Sequence, residues 1–294
     1  MPRGRALLLL GAVALIWGLT WPVNKAMLQE MPPLLMLTWR SVIATIVLFA
    51  MALPRGRLTL PPREDMPVLL SITVLHMVGF TVLAFVGLSF VSTGRSVVLS
   101  YTTPLWVMPG AALFLKEKLS KRRALGVGVG LTGLVVLFNP LALDWSDRTA
   151  VLGNLALLGA AFLWAGSILH IRGHVWRSTP FQLIPWEALL ATVLLAALAF
   201  VFGELRWVEW HLSLILLMLF SAVIGNALSF WAIATAGRGL SALTISLGLL
   251  MTPLVSIVTA TLALGEPLTL TLILAAGLIL GGVALGTTGE KSPA

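Results

Sequence analysis

The chain has 294 residues, of which 59% are hydrophobic and 10% are charged, and its net charge is +8. Because a soluble domain carries roughly 25% charged residues, this composition excludes most soluble enzymes and predicts a protein embedded in lipid. Ten helical crossings of about 20 residues would use most of the length, which excludes a large ectodomain or a nucleotide-binding domain. The chain has no cysteine, so disulfides, thiolate metal sites and cysteine nucleophiles are excluded as well.

Apolar runs long enough to cross a membrane as helices follow one another along the chain. The first run continues through Trp17 and Trp21, which makes it too long for the apolar region of a signal peptide. The sequence therefore predicts an all-α polytopic membrane protein with ten transmembrane helices, at 5–23, 33–53, 66–88, 95–115, 123–139, 151–171, 181–202, 212–235, 240–264 and 268–287.

The basic residues divide unevenly between the two sides of the membrane. With the N-terminus in the cytoplasm, 14 of the 19 Lys and Arg residues lie on the cytoplasmic side and 5 on the other. Membrane proteins retain Lys and Arg in the cytoplasm, so both termini are predicted to be cytoplasmic, and the basic charge needs no nucleic-acid partner. The cytoplasmic set is Arg3, Arg5, Arg55, Arg57, Arg63, Lys116, Lys118, Lys121, Arg122, Arg123, Arg172, Arg177, Arg238 and Lys291.

The two halves of the chain share a repeated pattern. Each half contains five spans, an odd number, so the second copy must enter the membrane upside down. Inverted repeats of this kind are common in secondary transporters, and we predict one repeat at 1–140 and the other at 150–294. The matches, at offsets of 147 or 149 residues, are Trp17 with Trp164, Trp39-Arg40 with Trp186-Glu187, Thr103-Pro104-Leu105 with Thr252-Pro253-Leu254, and Glu117 with Glu266.

Aromatic residues with a few polar neighbours lie deep in several spans. An apolar pocket with a few polar groups is the expected lining for a small amphipathic solute. Core packing is the alternative for the same side chains, and the sequence leaves it open. The predicted substrate-binding residues are Trp17, His76, Phe80, Tyr101, Trp164, Asn226 and Phe230.

Few ionisable side chains fall deep in the spans. His76 is predicted to be the only titratable one at mid-depth, whereas Arg40 and Glu187 are predicted to reach the interface by extending their side chains. This pattern favours a facilitator or weakly coupled exporter over a strongly ion-driven pump.

Pro104 and Pro253 should bend their helices, and we predict that these bends assist gating, although static kinks would have the same sequence.

Three other patterns are weaker. His170 and His174 have the i, i+4 spacing of metal ligands, but the sequence offers no third ligand, and no metal or cofactor is predicted. Membrane lipids are the expected surroundings.

Glycines in the fifth and tenth spans should allow close helix packing, within a monomer or, less simply, in a dimer. These glycines are Gly126, Gly130, Gly133, Gly277, Gly281 and Gly282.

The repeated residues resemble the EamA family of the drug/metabolite transporter superfamily over essentially the whole chain. The resemblance is carried by Trp17-Gly18 with Lys25, by Trp39-Arg40, and by Glu117 and Glu266. In the second copy Ala165 and Arg172 replace Gly18 and Lys25. The resemblance implies ten helices, cytoplasmic termini, a central cavity and export of small metabolites, and the overall pattern is similar to exporters of aromatic amino acids.

The sequence and the resemblance together predict a non-enzymatic exporter of amino acids, with aromatic ones among the candidates, or of related metabolites in the bacterial inner membrane. It would work by alternating access through a central cavity. The alternatives are export of drugs or nucleotide sugars, and an intramembrane lipid-modifying enzyme. Nucleotide sugars would favour deep basic residues facing the cavity, and none is predicted. The enzyme would need a catalytic cluster, for which His170 and His174 are the nearest approach.

Overall fold

A computed structural model describes residues 2–53, 58–117, 120–138, 146–236, 239–240 and 242–287. All regular structure in these ranges is helical. Nine helices of the described ranges are long and apolar enough to span a membrane, and a further helix of 18 residues begins with three basic residues. The ten are α1 Arg3–Met27, α2 Pro33–Ala52, α3 66–90, α4 Thr93–Phe114, α5 Lys121–Phe138, α6 Arg148–Gly173, α7 Pro180–Val201, α8 212–236, α9 242–264 and α10 Leu270–Thr287.

The predicted spans are confirmed as helices, and local chemistry explains several of their ends. The carboxylate of Asp147 accepts hydrogen bonds from the backbone N–H groups of Thr149 and Ala150 and caps the start of α6. A hydrogen bond from the Thr149 hydroxyl, together with these two backbone bonds, holds the pKa of Asp147 below its usual value. The largest disagreement between predicted and observed ends is at α1, which continues from 23 to Met27.

Polar contacts between helix ends fall into two groups that define the two faces of the bundle. On the face that carries the N-terminus, His174 lies 2.8 Å from Asp65, which joins the end of α6 to the start of α3. On the opposite face, called the distal face here, Lys25 Nζ donates to the Leu88 carbonyl at 2.6 Å, which joins the ends of α1 and α3. The helices therefore alternate in direction along the chain.

The helix contacts repeat across the two halves. Helix α1 packs on α8 and α9, and its counterpart α6 packs on α3 and α4. Helices α2 and α7 pack on each other, as do α5 and α10. In each half, the first helix packs on the third and fourth helices of the other half, so the prediction of two inverted five-helix repeats is confirmed. The repeat boundaries at 1–140 and 150–294 stay a prediction, since 139–145 and 288–294 lie outside the described residues, as do Arg55, Arg57, Lys118, Arg238 and Lys291.

Irregular helix geometry also recurs in both halves. Helix α3 contains a π-helical stretch at Ile72–Phe80, and α8 contains one at Phe220–Leu228. Helix α4 is interrupted at Tyr101 and Thr102, and α9 at Leu250. Pro104 and Pro253 each lie in the first turn of the helical segment that follows the interruption, where the missing N–H of a proline is not needed.

The glycine seam between α5 and α10 lies inside the monomer. A Cβ on Gly126 would lie 2.6 Å from the carbonyl oxygen of Gly282, so the two backbones are in contact there. Gly130 and Gly133 are also closely packed. The prediction was wrong for Gly277 and Gly281, which have nothing within 4 Å of a Cβ position, because both point away from α5.

Candidate functional site

A cavity of about 150 Å³ lies between the two halves. Helices α1, α2, α3 and α4 of the first half and α6, α7 and α8 of the second contribute to its wall. The structure brings together all the side chains that were predicted to contact a solute, namely Trp17, His76, Phe80, Tyr101, Trp164, Asn226 and Phe230. Their role in binding stays a prediction.

The aromatic members form one connected cluster across the two halves. The Trp164 ring stacks on His76 with centroids 5.2 Å apart and planes 7° apart. Phe80 and Tyr101 contact the same indole at 5.0 and 6.2 Å. On the other side of His76, the Phe230 ring lies 6.2 Å away and 5.9 Å from the Trp17 ring. The cluster presents a broad apolar surface to the cavity.

Hydrogen bonds hold α1 against the π-helical stretch of α8 at the cavity wall. The indole Nε1 of Trp17 donates to the Gly225 carbonyl at 3.1 Å. The Ser221 hydroxyl donates to Asn24 Oδ1 at 2.7 Å. Because the first of these bonds satisfies the Trp17 N–H, the indole needs no polar partner from a solute. The matching π-helical stretch of α3 carries His76 and Phe80, so both irregular stretches position cavity residues, as such stretches often do at functional sites.

The cavity is closed more tightly at its distal end. Helices α2 and α7 line it with mirrored positions, 147 residues apart, such as Leu37 with Ile184 and Leu48 with Leu195. At the distal end Leu37 and Leu195 are 1% and 2% exposed. At the other end Ile184 and Leu48 are half-buried and adjoin a second cavity of about 40 Å³. The cavity is therefore less tightly closed toward the N-terminal face than toward the distal face.

Arg40 lines the cavity, and the prediction that it reaches the interface was wrong. Its guanidinium carbon lies 4.8 Å from the centroid of the Phe85 ring. The neighbouring positions Leu37, Ser41 and Ala44 also line the cavity, so the inward face of α2 carries Arg40 with them. The expectation of a cavity without a deep basic residue was therefore wrong. The Leu37, Ser41 and Ala44 spacing is a signal of an inward face that could have revealed it.

Glu187 is the counterpart of Arg40 in the second half, and its predicted exposure was also wrong. It is 4% exposed and does not line the cavity, unlike its neighbours Ile184, Ala188 and Ala191. Packing of α7 against α2 and α3 places it inside the bundle, so a buried carboxyl group lies within a predicted span. The other mirrored positions of α2 and α7 that line the cavity do so in both helices. In this pair, Arg40 lines the cavity and Glu187 does not.

The remaining candidates lie away from the cavity wall. Pro104 and Pro253 are not among the cavity-lining residues, and their role in gating stays a prediction. His174 is engaged with Asp65, which also accepts backbone hydrogen bonds from Arg177 and Ser178 at 3.1 and 2.7 Å. No group of three or more possible metal ligands occurs in the described ranges. His174 thus has a structural partner that explains its position.

Comparison with known proteins agrees with this architecture. The sequence profile described as "EamA-like transporter family" matches the chain twice, over residues 4–139 and 151–288. The chain belongs to the EamA-like transporter family. It is therefore a multi-pass membrane protein of a transporter family, for which a small-molecule substrate is implied.

Relatives of similar length carry transporter names. The chain is 26% identical to the uncharacterized transporter YoaV of Bacillus subtilis, over 94% of each chain. It is 28% identical to a probable amino-acid metabolite efflux pump of Salmonella typhimurium, over 95% of this chain and 93% of that protein. The uncharacterized inner membrane transporter YedA of Escherichia coli is also 28% identical, over 95% of this chain and 89% of that protein.

One solved crystal structure has the same fold. It superposes with a TM-score of 0.69 over 97% of this chain and 98% of that chain, at 23% sequence identity. This likeness supports the ten-helix arrangement and says nothing about the substrate.

Proposed function

We propose that the protein exports amino acids or related small metabolites by alternating access through the central cavity. The observation that carries this proposal is a cavity lined by both inverted halves with an aromatic cluster at its centre. If the two halves exchanged their conformations, the same chamber would open to the opposite face of the membrane. One of the relatives is named a probable amino-acid metabolite efflux pump, which supports this substrate class.

The orientation of the protein gives the cycle its direction. The excess of Lys and Arg on the N-terminal face favours a cytoplasmic location for that face, in the bacterial inner membrane. The conformation described above, closed more tightly at the distal face, then corresponds to a state that accepts a solute from the cytoplasm. When the two halves exchange their conformations, the cavity would close at the end that carries Leu48 and Ile184. It would then open at the end that carries Leu37 and Leu195.

Replacing Trp17 or Tyr101 with Ala should lower efflux of the solute from proteoliposomes by about tenfold. Each change removes an aromatic surface whose contact with a solute is worth on the order of 1–2 kcal/mol. The thermal stability of each variant should be measured alongside, because Trp17 also bonds to Gly225.

Trp207 offers the matched control, since its side chain is 91% exposed and lies outside the cavity. Trp207→Ala should transport at the wild-type rate. Wild-type efflux in both Trp17→Ala and Tyr101→Ala would contradict the assignment of the aromatic cluster to the binding site.

A further inference from the structure

The charge of the cavity defines the class of solute that it accepts. We infer that Arg40 binds the carboxylate of the solute, and that the cavity prefers a monoanionic carboxylate with an aromatic or branched apolar body over a zwitterion or an amine. This inference rests on the proposed function and names the substrate class of the same site.

The cavity wall carries one fixed positive charge and no acidic side chain. Arg40 and His76 are the two residues of the wall that can carry a positive charge, and no Asp or Glu of the described ranges lines it. Arginine remains charged at any physiological pH. A charge held out of bulk water is unfavourable without a counter-charge. An anion that enters the cavity would therefore gain the interaction that Arg40 lacks.

The guanidinium of Arg40 has its hydrogen-bonding capacity unused. It makes no hydrogen bond or ion pair with any residue of the described ranges. Its contact is with the face of the Phe85 ring, at 4.8 Å from the centroid. A cation–π contact fixes the plane of the guanidinium but uses none of its five N–H donors. The planar fork matches a carboxylate, which accepts two parallel hydrogen bonds from it.

Other basic residues near the membrane interior join helices instead of facing the cavity. Lys25 Nζ donates to the carbonyls of Leu88 and Val91 at 2.6 and 3.0 Å. The guanidinium Nε of Arg95 donates to Asn154 Oδ1 at 2.7 Å, although its Nη2 is buried without a hydrogen-bond partner. Neither residue lines the cavity. The comparison separates Arg40, whose guanidinium lines the chamber, from cations that hold helices together.

The rest of the wall suits an apolar body better than an ammonium group. The aromatic cluster of Trp17, His76, Phe80, Tyr101, Trp164 and Phe230 supplies ring surfaces. An ammonium group would find no carboxylate in the wall, and ring faces replace only part of its lost hydration. The expected order of affinity is therefore carboxylate first, zwitterion second and amine last.

A matched set of three compounds tests this order on the purified full-length protein. The compounds are 3-phenylpropionate, phenylalanine and phenethylamine, which share the benzyl group and differ in the charged groups that they carry. Binding can be followed by quenching of tryptophan fluorescence or by calorimetry. We expect 3-phenylpropionate to bind at least about tenfold more tightly than phenethylamine, with phenylalanine between them, as expected for a charge-assisted hydrogen-bonded pair.

The variant Arg40→Gln should weaken binding of the two carboxylates by about tenfold or more and leave phenethylamine unchanged. Arg95→Gln is the matched control, because it removes an arginine from a membrane helix without changing the cavity wall. Thermal unfolding of both variants shows whether each is folded. A selective loss of carboxylate binding in Arg40→Gln alone is the result that supports the inference.

Two results would overturn it. One is equal or tighter binding of phenethylamine, or no binding of any carboxylate, by the wild-type protein. The other is unchanged carboxylate affinity in Arg40→Gln. Counterflow of labelled phenylalanine in proteoliposomes is measured separately. Counterflow that persists in Arg40→Gln with unchanged affinity would leave the transporter function standing and remove only the inference about Arg40.

Discussion

Replacing Gly282 with Val should destabilise the folded protein by about 3 kcal/mol or more, the upper end of the cost of overpacking. A Cβ at this position would lie 2.5 Å from the carbonyl oxygen of Gly126 and 2.5 Å from the amide nitrogen of Gly130. Both obstacles are backbone atoms, so no side-chain rotation can relieve the clash. Helices α5 and α10 would have to separate. This separation removes their direct contact, which joins the two halves at this side of the bundle. Thermal unfolding in detergent measures the effect.

The adjacent glycine provides the control for this experiment. Gly281 has nothing within 4 Å of a Cβ position, so Gly281→Val adds the same volume to the same helix without a clash. Its stability should stay within about 1 kcal/mol of the wild type, since only the small difference in helix propensity remains. Equal stability of the two variants would show that the seam between α5 and α10 is not closely packed.

Removal of the Glu266 carboxylate should have the second large effect on stability. Glu266 follows Gly265, whose φ of 69° ends α9, and it caps the start of α4. One carboxylate oxygen accepts from the Thr93 N–H at 2.8 Å and the Thr93 hydroxyl at 2.6 Å, and the other accepts from the Gly94 N–H at 3.2 Å. Thr93 is fully buried, so its donors have no access to water.

Glu266→Ala leaves three donors unpaired, and we expect it to lower the free energy of unfolding by about 2–5 kcal/mol. Glu209 is an exposed glutamate near the same face, and Glu209→Ala should change the stability by less than about 0.5 kcal/mol. Thermal and denaturant unfolding of the two variants should be compared. A Glu266→Ala protein as stable as Glu209→Ala would contradict the capping role.

The fold was predictable from sequence because lipid leaves few options. In the hydrocarbon each backbone group must be paired within its own helix, so apolar length alone marks the spans. The repeated Trp17 and Trp164 then indicate two copies, and the odd number of spans in each copy makes the arrangement inverted. The π-helical stretches at Ile72–Phe80 and Phe220–Leu228 were not predictable, because a shift from i, i+4 to i, i+5 bonding leaves the apolar pattern of a span almost unchanged.

The candidate site was predictable where depth and repeat symmetry agreed. Trp17 and Trp164 lie deep in their spans at mirrored positions, and both line the cavity. Arg40 and Glu187 were misassigned because position along a helix does not reveal which direction a side chain faces. Both lie about 10 Å along the axis from the start of their helices, which is compatible with extension to the interface as well as with burial. The packing of α2 against α7 distinguishes the two, and the spacing of Leu37, Ser41 and Ala44 is the one sequence signal that favours an inward position for Arg40.

Alternating access through the shared cavity is tested most directly by thiol labelling at the mirrored residues Leu37 and Ile184. The chain contains no cysteine, so Leu37→Cys and Ile184→Cys each introduce a single reactive group at one end of the cavity. A membrane-impermeant maleimide is applied from either face of oriented vesicles, with and without a solute gradient.

In the state described here, the thiol at 184 should react from the N-terminal face, and the thiol at 37 should be protected. A solute gradient that drives the exchange of halves should raise labelling at 37 from the distal face and lower labelling at 184. Labelling of both positions from the same face, or labelling at each position that does not change with the gradient, would contradict the account.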